Sequence, residues 1–231
     1  MEIILAEQKN WDEISEISSR SGYMDYINRL GPSYLDEGWV LLSYVEGRAA
    51  GFMKVEEMED KSVWFSGVRV LPDFRRMHIG SSLTERACEF ARENGFRSAR
   101  LLIHEDNLRS IAMVKKIGFT MISEMAFLKG LLTDGMQEEK SLKVIPNLIN
   151  LGWKFAVPSD SILEKATYFR SKGGAEVIRM GKTFQITRWA PDLQFIDDGI
   201  SCIEIEEKLP ANAQKYLLED FDYGQIFEYK I

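Results

Sequence analysis

The chain has 231 residues, of which 45% are hydrophobic and 28% charged, and its formal net charge is -7. This composition is ordinary for a soluble globular protein, and the negative charge argues against a general nucleic-acid binder. No apolar run is long enough to span a bilayer, so we expect no membrane partner, and the N-terminus lacks the pattern of a signal peptide. Cys88 and Cys202 lie far apart in sequence without metal-ligand spacing. They indicate a reducing, cytoplasmic setting and no metal site, although a single pairing stays open.

The first part of the chain alternates strand and helix patterns. Apolar periodicity and turn residues predict strands over 2–6, 39–45, 49–57, 62–71, 98–104 and 119–128. They also predict helices over 11–20, 23–30 and 79–94, and one that begins after Asp106 or Asn107 and ends at Gly118. The helix over 79–94 is predicted to stop at Gly95 and to carry an apolar stripe on one face, formed by Ile79, Leu83, Ala87, Phe90 and Ala91. Hairpins combined with a strand–helix–strand crossover predict an α/β fold of the α+β kind, with a central mixed sheet flanked by helices.

The remainder predicts a second, smaller α/β domain. Residues 129–145 have weak periodicity and are interpreted as a linker or hairpin loop. Ser159 caps a predicted helix that carries Ile162, Leu163, Ala166 and Phe169. Strands are predicted over 152–157, 175–180, 183–189 and 200–206, and a short helix over 210–218. We therefore expect domains over residues 1–137 and 138–231.

A basic turn follows the strand that ends before Pro72. Arg75 and Arg76 come directly after it, and Ile79 and Gly80 open a helical pattern. This order is typical of a diphosphate site, because backbone N–H groups and the positive end of the helix dipole face the anion and arginine adds charge-assisted hydrogen bonds. Solvated surface charge is the alternative interpretation of the two arginines.

Two segments resemble motifs of the GNAT superfamily of acyl-CoA-dependent N-acyltransferases. The first motif, Gln/Arg-x-x-Gly-x-Gly/Ala, corresponds to Arg75-Arg76-Met77-His78-Ile79-Gly80. The second, Asn-x-x-Ala/Ser-x-x-x-Tyr-x-x-x-Gly-Phe, corresponds to residues 107–119. The family's first glycine is His78 here, and its usual general-acid tyrosine is Val114. The resemblance covers residues 1–128, and residues 140–231 resemble no family that we recognise.

The resemblance implies an N-acetyltransferase that carries the acetyl group from acetyl-CoA to a primary amine in a ternary complex. The pantetheine arm of coenzyme A would pair with backbone at Val68 and Val70, and an N–H near Val70 or Leu71 would stabilise the oxyanion. The motif positions imply these cofactor-binding residues: Val68, Val70, Leu71, Arg75, Arg76, Met77, His78, Ile79, Gly80, Ser81, Asn107 and Ser110. Asn107 has helix capping as a second role that is compatible with the first.

Two candidates stand out for proton transfer. His104 ends a strand where the family keeps its reacting centre, with a packed turn histidine as the alternative. Glu57 belongs to an acidic stretch that also contains Glu56, Glu59 and Asp60. This stretch is either a solvated hairpin or an acidic rim that attracts a cationic acceptor or relays its proton. Tyr23, Tyr26 and Tyr34 lie in the early helical segment, which in this family often shapes the acceptor site, and core packing is an equal alternative.

The departures at His78 and Val114 leave a second function open. An inactive acyl-CoA-binding sensor that acts through its C-terminal domain fits them, and a purely structural domain is a weaker third idea. The acceptor amine is a small molecule or a protein. Residues 138–231 cover the acceptor site, form a homodimer, or hold a degenerate second copy of the fold.

Overall fold

A computed structural model describes residues 1–22, 26–205 and 208–231. Tyr23, part of the helix predicted over 23–30, and the end of the strand predicted over 200–206 lie outside the described residues. By internal contacts the chain forms two compact units, the first made of Met1–Leu101, Ala112–Phe119 and Tyr229–Ile231, the second of Leu102–Ile111 and Thr120–Glu228. The functional division at residue 137 stays a prediction. In the described ranges, every helix is too short or too polar to cross a membrane.

The first unit orders its strands β1-β2-β3-β4-β5. These strands are β1 (Glu2–Leu5), β2 (Trp39–Val45), β3 (Arg48–Glu57), β4 (Val63–Val70) and β5 (Ser98–His104). β1, β2, β3 and β4 pair antiparallel, whereas β4 and β5 pair parallel. The helices are α1 (Trp11–Arg20), α2 (Tyr26–Leu30), α3 (Ile79–Glu93) and α4 (Leu108–Ile117). The prediction of a mixed sheet flanked by helices is confirmed.

Helix α3 shows why the sequence forms these elements. Its predicted apolar stripe is the buried face, from Ile79 at 1% exposure to Phe90 at 7%. The helix packs on β3 and β4, and Gly95 ends it in the left-handed conformation at φ 76°. Burying such a stripe contributes about 1.5 to 3 kcal/mol for each large apolar side chain. The same packing fixes the start of α3 against the sheet.

The second unit is built mainly from strands. They are β6 (Thr120–Leu132), β7 (Gln137–Glu139), β8 (Ile149–Asn150), β9 (Phe155–Ala156), β10 (Thr167–Arg170), β11 (Glu176–Met180), β12 (Thr183–Arg188), β13 (Gln194–Glu204) and β14 (Tyr223–Lys230). The strand order continues from the end of β5 as β14-β6-β13-β12-β11-β10-β7, and β8 pairs with β9. β12 and β13 run parallel, whereas β6 pairs antiparallel with both β13 and β14.

Several predictions for this half were wrong in detail. The helix that starts after Ser159 is α5 (Asp160–Leu163), and Phe169 lies in β10 opposite Val177. Cross-strand pairing there buries Phe169 in the core of this unit, a tertiary gain that local helix periodicity does not reveal. The helix predicted over 210–218 is a single 3-10 turn, Gln214–Tyr216, and part of the predicted linker over 129–145 is strand.

Candidate functional site

Strands β4 and β5 are joined at one end only. Their ladder consists, among the described residues, of Val63 opposite Ala99 and Trp64 opposite Arg100. Residues 65–70 of β4 extend beyond it. This segment of β4 therefore offers a backbone edge against which an extended ligand can pair.

The hydrogen bonding of β4 decides which backbone groups face that edge. The N–H of Leu71 donates to the Ala50 carbonyl at 2.9 Å, and Val70 lies opposite Gly51. Because successive residues of an antiparallel strand alternate in direction, the N–H of Val70 points away from β3. Of the two N–H groups expected to hold an oxyanion, that of Leu71 is already occupied by the ladder. The N–H of Val70 is the one that faces the open edge.

A side chain that sequence reasoning missed also lies at this edge. The Arg69 guanidinium donates to the carbonyl of Val68 at 3.1 Å. The carbonyl at the first predicted pantetheine position therefore already accepts a hydrogen bond. A ligand N–H that pairs with the Val68 carbonyl has to displace the Arg69 guanidinium or share the carbonyl oxygen with it.

The basic turn forms a pocket of N–H donors at the start of α3. Arg76 and His78 both have left-handed backbone, at φ 67° and 61°. At the start of the helix the Ser82 N–H donates to the His78 carbonyl at 2.9 Å, so the N–H groups of residues 79–81 precede the helical ladder. Such a turn followed by a helix N-terminus is a common anion-binding arrangement.

The two arginines of the turn differ in their surroundings. The guanidinium of Arg75 donates to the Ser21 carbonyl at 2.6 Å and so ties the turn to the end of α1. Residues 75–78 are all exposed, so the two arginines differ in the bond of Arg75 to Ser21 and not in their exposure. Arg76 is therefore the better-placed arginine of the pair for a solvent-accessible anion, whereas Arg75 also fixes the shape of the turn.

His104 lies in the second unit, in a hydrogen-bonded position. Its Nδ1 accepts the N–H of Asp106 at 3.2 Å, and its Nε2 lies 3.1 Å from Asp222 Oδ1. Since Nδ1 accepts, a neutral ring carries its proton on Nε2 and donates it to Asp222. The ring also packs edge-on against Phe221, with 5.0 Å between centroids. In this arrangement both ring nitrogens are engaged, and no motif or spacing in the sequence pointed to Asp222.

Acidic groups surround that histidine. Burial raises the pKa of Glu105 above its ordinary value, and the charges of Asp222, Glu124 and Asp106 raise it further. Burial raises the pKa of Tyr223, and the charges of Asp222, Glu105 and Glu124 raise it further. The clustering makes this part of the second unit locally anionic.

The second motif opens α4. Asn107 Oδ1 accepts the N–H of Ser110 at 3.2 Å, so Asn107 caps the helix, which is one of its two predicted roles. Val114 is 1% exposed and belongs to the apolar core. The position where the family usually has a tyrosine therefore contributes packing in this chain.

Neighbouring carboxylates of the acidic stretch at the end of β3 lie on opposite faces of the sheet. Glu57 is exposed, whereas the neighbouring Glu56 side chain is 13% exposed and ion-paired with Lys54. Oε2 of Glu56 accepts the Ser66 hydroxyl at 3.3 Å. Among the described residues, no group of three or more His, Cys, Asp or Glu side chains is placed to hold a metal ion.

Comparison with known proteins agrees with this geometry. Residues 7–119 match the model of the acetyltransferase (GNAT) family. A proposed acetyltransferase from Thermoplasma acidophilum is 16% identical, with both chains fully covered and a TM-score of 0.62. Another from Pyrococcus horikoshii is 12% identical over 100% of this chain and 89% of its own, with a TM-score of 0.57. At these identities the likeness shows the fold alone. A search of curated proteins returned no match.

Proposed function

We propose that this protein is an N-acetyltransferase that transfers the acetyl group of acetyl-CoA to a primary amine by direct attack in a ternary complex. The observation that carries the proposal is the donor pocket of residues 79–81, which follows the open edge of β4 in a GNAT domain. A diphosphate fits the pocket, and an extended amide-containing arm fits the edge.

In this proposal each residue of the site has a role in binding the cofactor or in stabilising the oxyanion. Met77, His78, Ile79, Gly80 and Ser81 form the turn and helix start that hold the pyrophosphate, with Arg76 supplying opposite charge. Arg75 contributes by holding the turn and by its own charge. Val68 and Val70 pair with the pantetheine arm next to Leu71, and the Val70 N–H stabilises the oxyanion. Asn107 and Ser110 remain proposed cofactor contacts at the start of α4.

The chemistry requires a proton acceptor more than a proton donor. A lysine-like amine has a pKa of about 10.4, so its deprotonation at pH 7 costs roughly 4 to 5 kcal/mol. A thiol with a pKa of about 8.5 leaves as thiolate at a cost of only about 2 kcal/mol. A core Val114 in place of an acid is therefore compatible with turnover. His104 and Glu57 remain the proton acceptors predicted from sequence.

The proposal is tested by measuring cofactor binding and turnover separately. Calorimetry with coenzyme A should give saturable binding in the wild type and strongly weakened binding in Arg75→Ala combined with Gly80→Glu, because a carboxylate then enters the donor pocket. Release of free thiol from acetyl-CoA over a panel of amines reports transfer. Undiminished binding by the double variant contradicts the assigned pocket.

A second candidate function is a non-catalytic acyl-CoA sensor. It is favoured by the imidazole of His78 at a left-handed position where the family has glycine. Saturable acetyl-CoA binding without amine-dependent thiol release would identify it.

A cytoplasmic location is part of the proposal. Cys88 and Cys202 are free and buried, and burial raises the pKa of each thiol to about 12. Buried free thiols are typical of proteins from reducing compartments.

A further inference from the structure

A buried charged cluster lies on β3 and β4 of the first unit. Lys54 is 7% exposed, and its Nζ donates to the Tyr34 carbonyl at 2.8 Å while lying 4.4 Å from the centre of the Tyr34 ring. Its ammonium is 4.0 Å from Glu56 Oε1. Buried charges are costly unless paired, so the contact with Glu56 offsets part of the cost of burying the Lys54 ammonium.

The cluster reaches the open part of β4 through Ser66. Ser66 lies opposite Lys54 in the ladder, so their side chains share one face of the sheet. Its hydroxyl donates to Glu56 Oε2 at 3.3 Å. Ser66 also lies beyond the last β4–β5 pair, at Trp64, and therefore on the segment whose edge is open.

The backbone next to Ser66 lies close to the Tyr34 side chain. Gly67 is left-handed at φ 63°, and a Cβ there would lie 2.6 Å from the Tyr34 hydroxyl oxygen. The β3–β4 register shifts between Phe52 and Lys54, which is a bulge. A bulge re-aims the groups around it, and this one lies between Ser66 and Arg69, so it contains Gly67 and the predicted pantetheine position Val68.

We propose that Glu56 is the proton acceptor for the attacking amine, with the Ser66 hydroxyl as the relay. This inference rests on the proposed function. The acceptor ammonium gives a proton to the Ser66 oxygen as the Ser66 proton passes to Glu56. The neutral nitrogen then forms the bond to the thioester carbon, the carbon–sulfur bond breaks, and the thiolate leaves. The second amine proton goes to the thiolate or to water, and Glu56 later returns its proton to solvent.

Glu57 is the rival acceptor within the same strand. Successive strand residues point to opposite faces, so Glu56→Gln and Glu57→Gln each remove a carboxylate from a different face of the sheet. Glu59, which is exposed in the following turn, is a matched control of the same chemistry.

The experiment compares Glu56→Gln, Glu57→Gln, Glu59→Gln and Ser66→Ala in the full chain. We measure kcat and KM for the best amine of the panel from about pH 6 to about pH 10, together with coenzyme A affinity. Loss of a general base lowers kcat by about 100-fold. We expect this for Glu56→Gln at neutral pH, with recovery at high pH where the amine is already neutral, and a smaller loss for Ser66→Ala. Coenzyme A affinity should be unchanged in both, and Glu59→Gln should behave as the wild type.

Three outcomes overturn the inference while the proposed function stands: wild-type kcat in Glu56→Gln, the loss appearing in Glu57→Gln instead, or a loss that high pH does not reverse. If Glu56→Gln lost coenzyme A binding as well as kcat, the loss would indicate structural damage. In that case, normal turnover by Ser66→Ala would exclude the relay. A wild type that binds coenzyme A but transfers to no amine overturns the proposed function and this inference with it.

Discussion

The Arg100 guanidinium and the Asp60 carboxylate form a buried ion pair, with 2.5 Å between Nη1 and Oδ2. Both side chains are at most 6% exposed, and the Ser62 hydroxyl bonds to both. The pair lies at the end of β4 and β5 where their ladder is formed. It therefore holds together the one joined end of two strands whose remaining residues leave the edge open.

Breaking this pair should destabilise the protein strongly. Asp60→Ala removes the carboxylate that Arg100 Nη1 contacts in the buried pair, and we expect a loss of about 3 to 5 kcal/mol in the free energy of unfolding. Urea titration measures it. The exposed pair of Arg86 and Glu93, at 3.0 Å, provides the control, since Glu93→Ala should cost at most about 1 kcal/mol. Equal losses in the two variants would contradict a structural clamp.

His78 should prefer replacement by glycine. A residue with a Cβ costs about 1 to 2 kcal/mol in the left-handed conformation. Glycine removes this cost, but it loses more backbone entropy on folding, which offsets part of the gain. We expect His78→Gly to raise the free energy of unfolding by up to about 1 kcal/mol without weakening coenzyme A binding. His78→Val, with a β-branched side chain, should lower it. Thermal and urea unfolding measure both, and a valine variant as stable as the wild type would refute the backbone constraint.

Arg76 should contribute to cofactor affinity through charge. We expect Arg76→Ala to weaken coenzyme A binding about 10-fold, because a charge-assisted contact to phosphate is worth about 1.5 kcal/mol. Arg97→Ala removes an equally exposed arginine outside the turn and should leave affinity unchanged. Calorimetry at two salt concentrations measures both variants. A deficit that is identical for Arg76 and Arg97 would show only a general charge effect.

Glu105 should make stability depend on pH. Its pKa is raised above 4.5 in the folded protein, so the folded state holds the proton more tightly than the unfolded chain. Stability from this group is present at acidic pH and is lost as pH rises from about 4.5 through the folded-state pKa. Glu105→Gln should therefore unfold at a higher temperature than the wild type at pH 7, and the advantage should vanish near pH 4. Exposed Glu85→Gln should show no such trend, and an advantage that persists at both pH values would contradict the linkage.

The sequence by itself determined the elements whose signals are local. The stripe from Ile79 to Ala91, the stop at Gly95 and the cap at Asn107 each depend on neighbours within a few residues, and all appear where they were predicted. The basic turn and the two motifs predicted the match to the GNAT family model for the same reason. Their residues act through backbone that is close in sequence.

Only the tertiary structure decided the pairings between distant residues. Asp222 reaches His104 across 118 positions, and Arg75 reaches the Ser21 carbonyl across 54. Phe169 follows a helical spacing but lies in a strand because Val177 and its neighbours bury it there. Glu56 and Glu57 lie on opposite faces of the sheet, and the pairing of β3 with β4 decides what each of them contacts. Composition and periodicity fix which residues are buried along one element, whereas the partner across a sheet depends on how the whole chain closes.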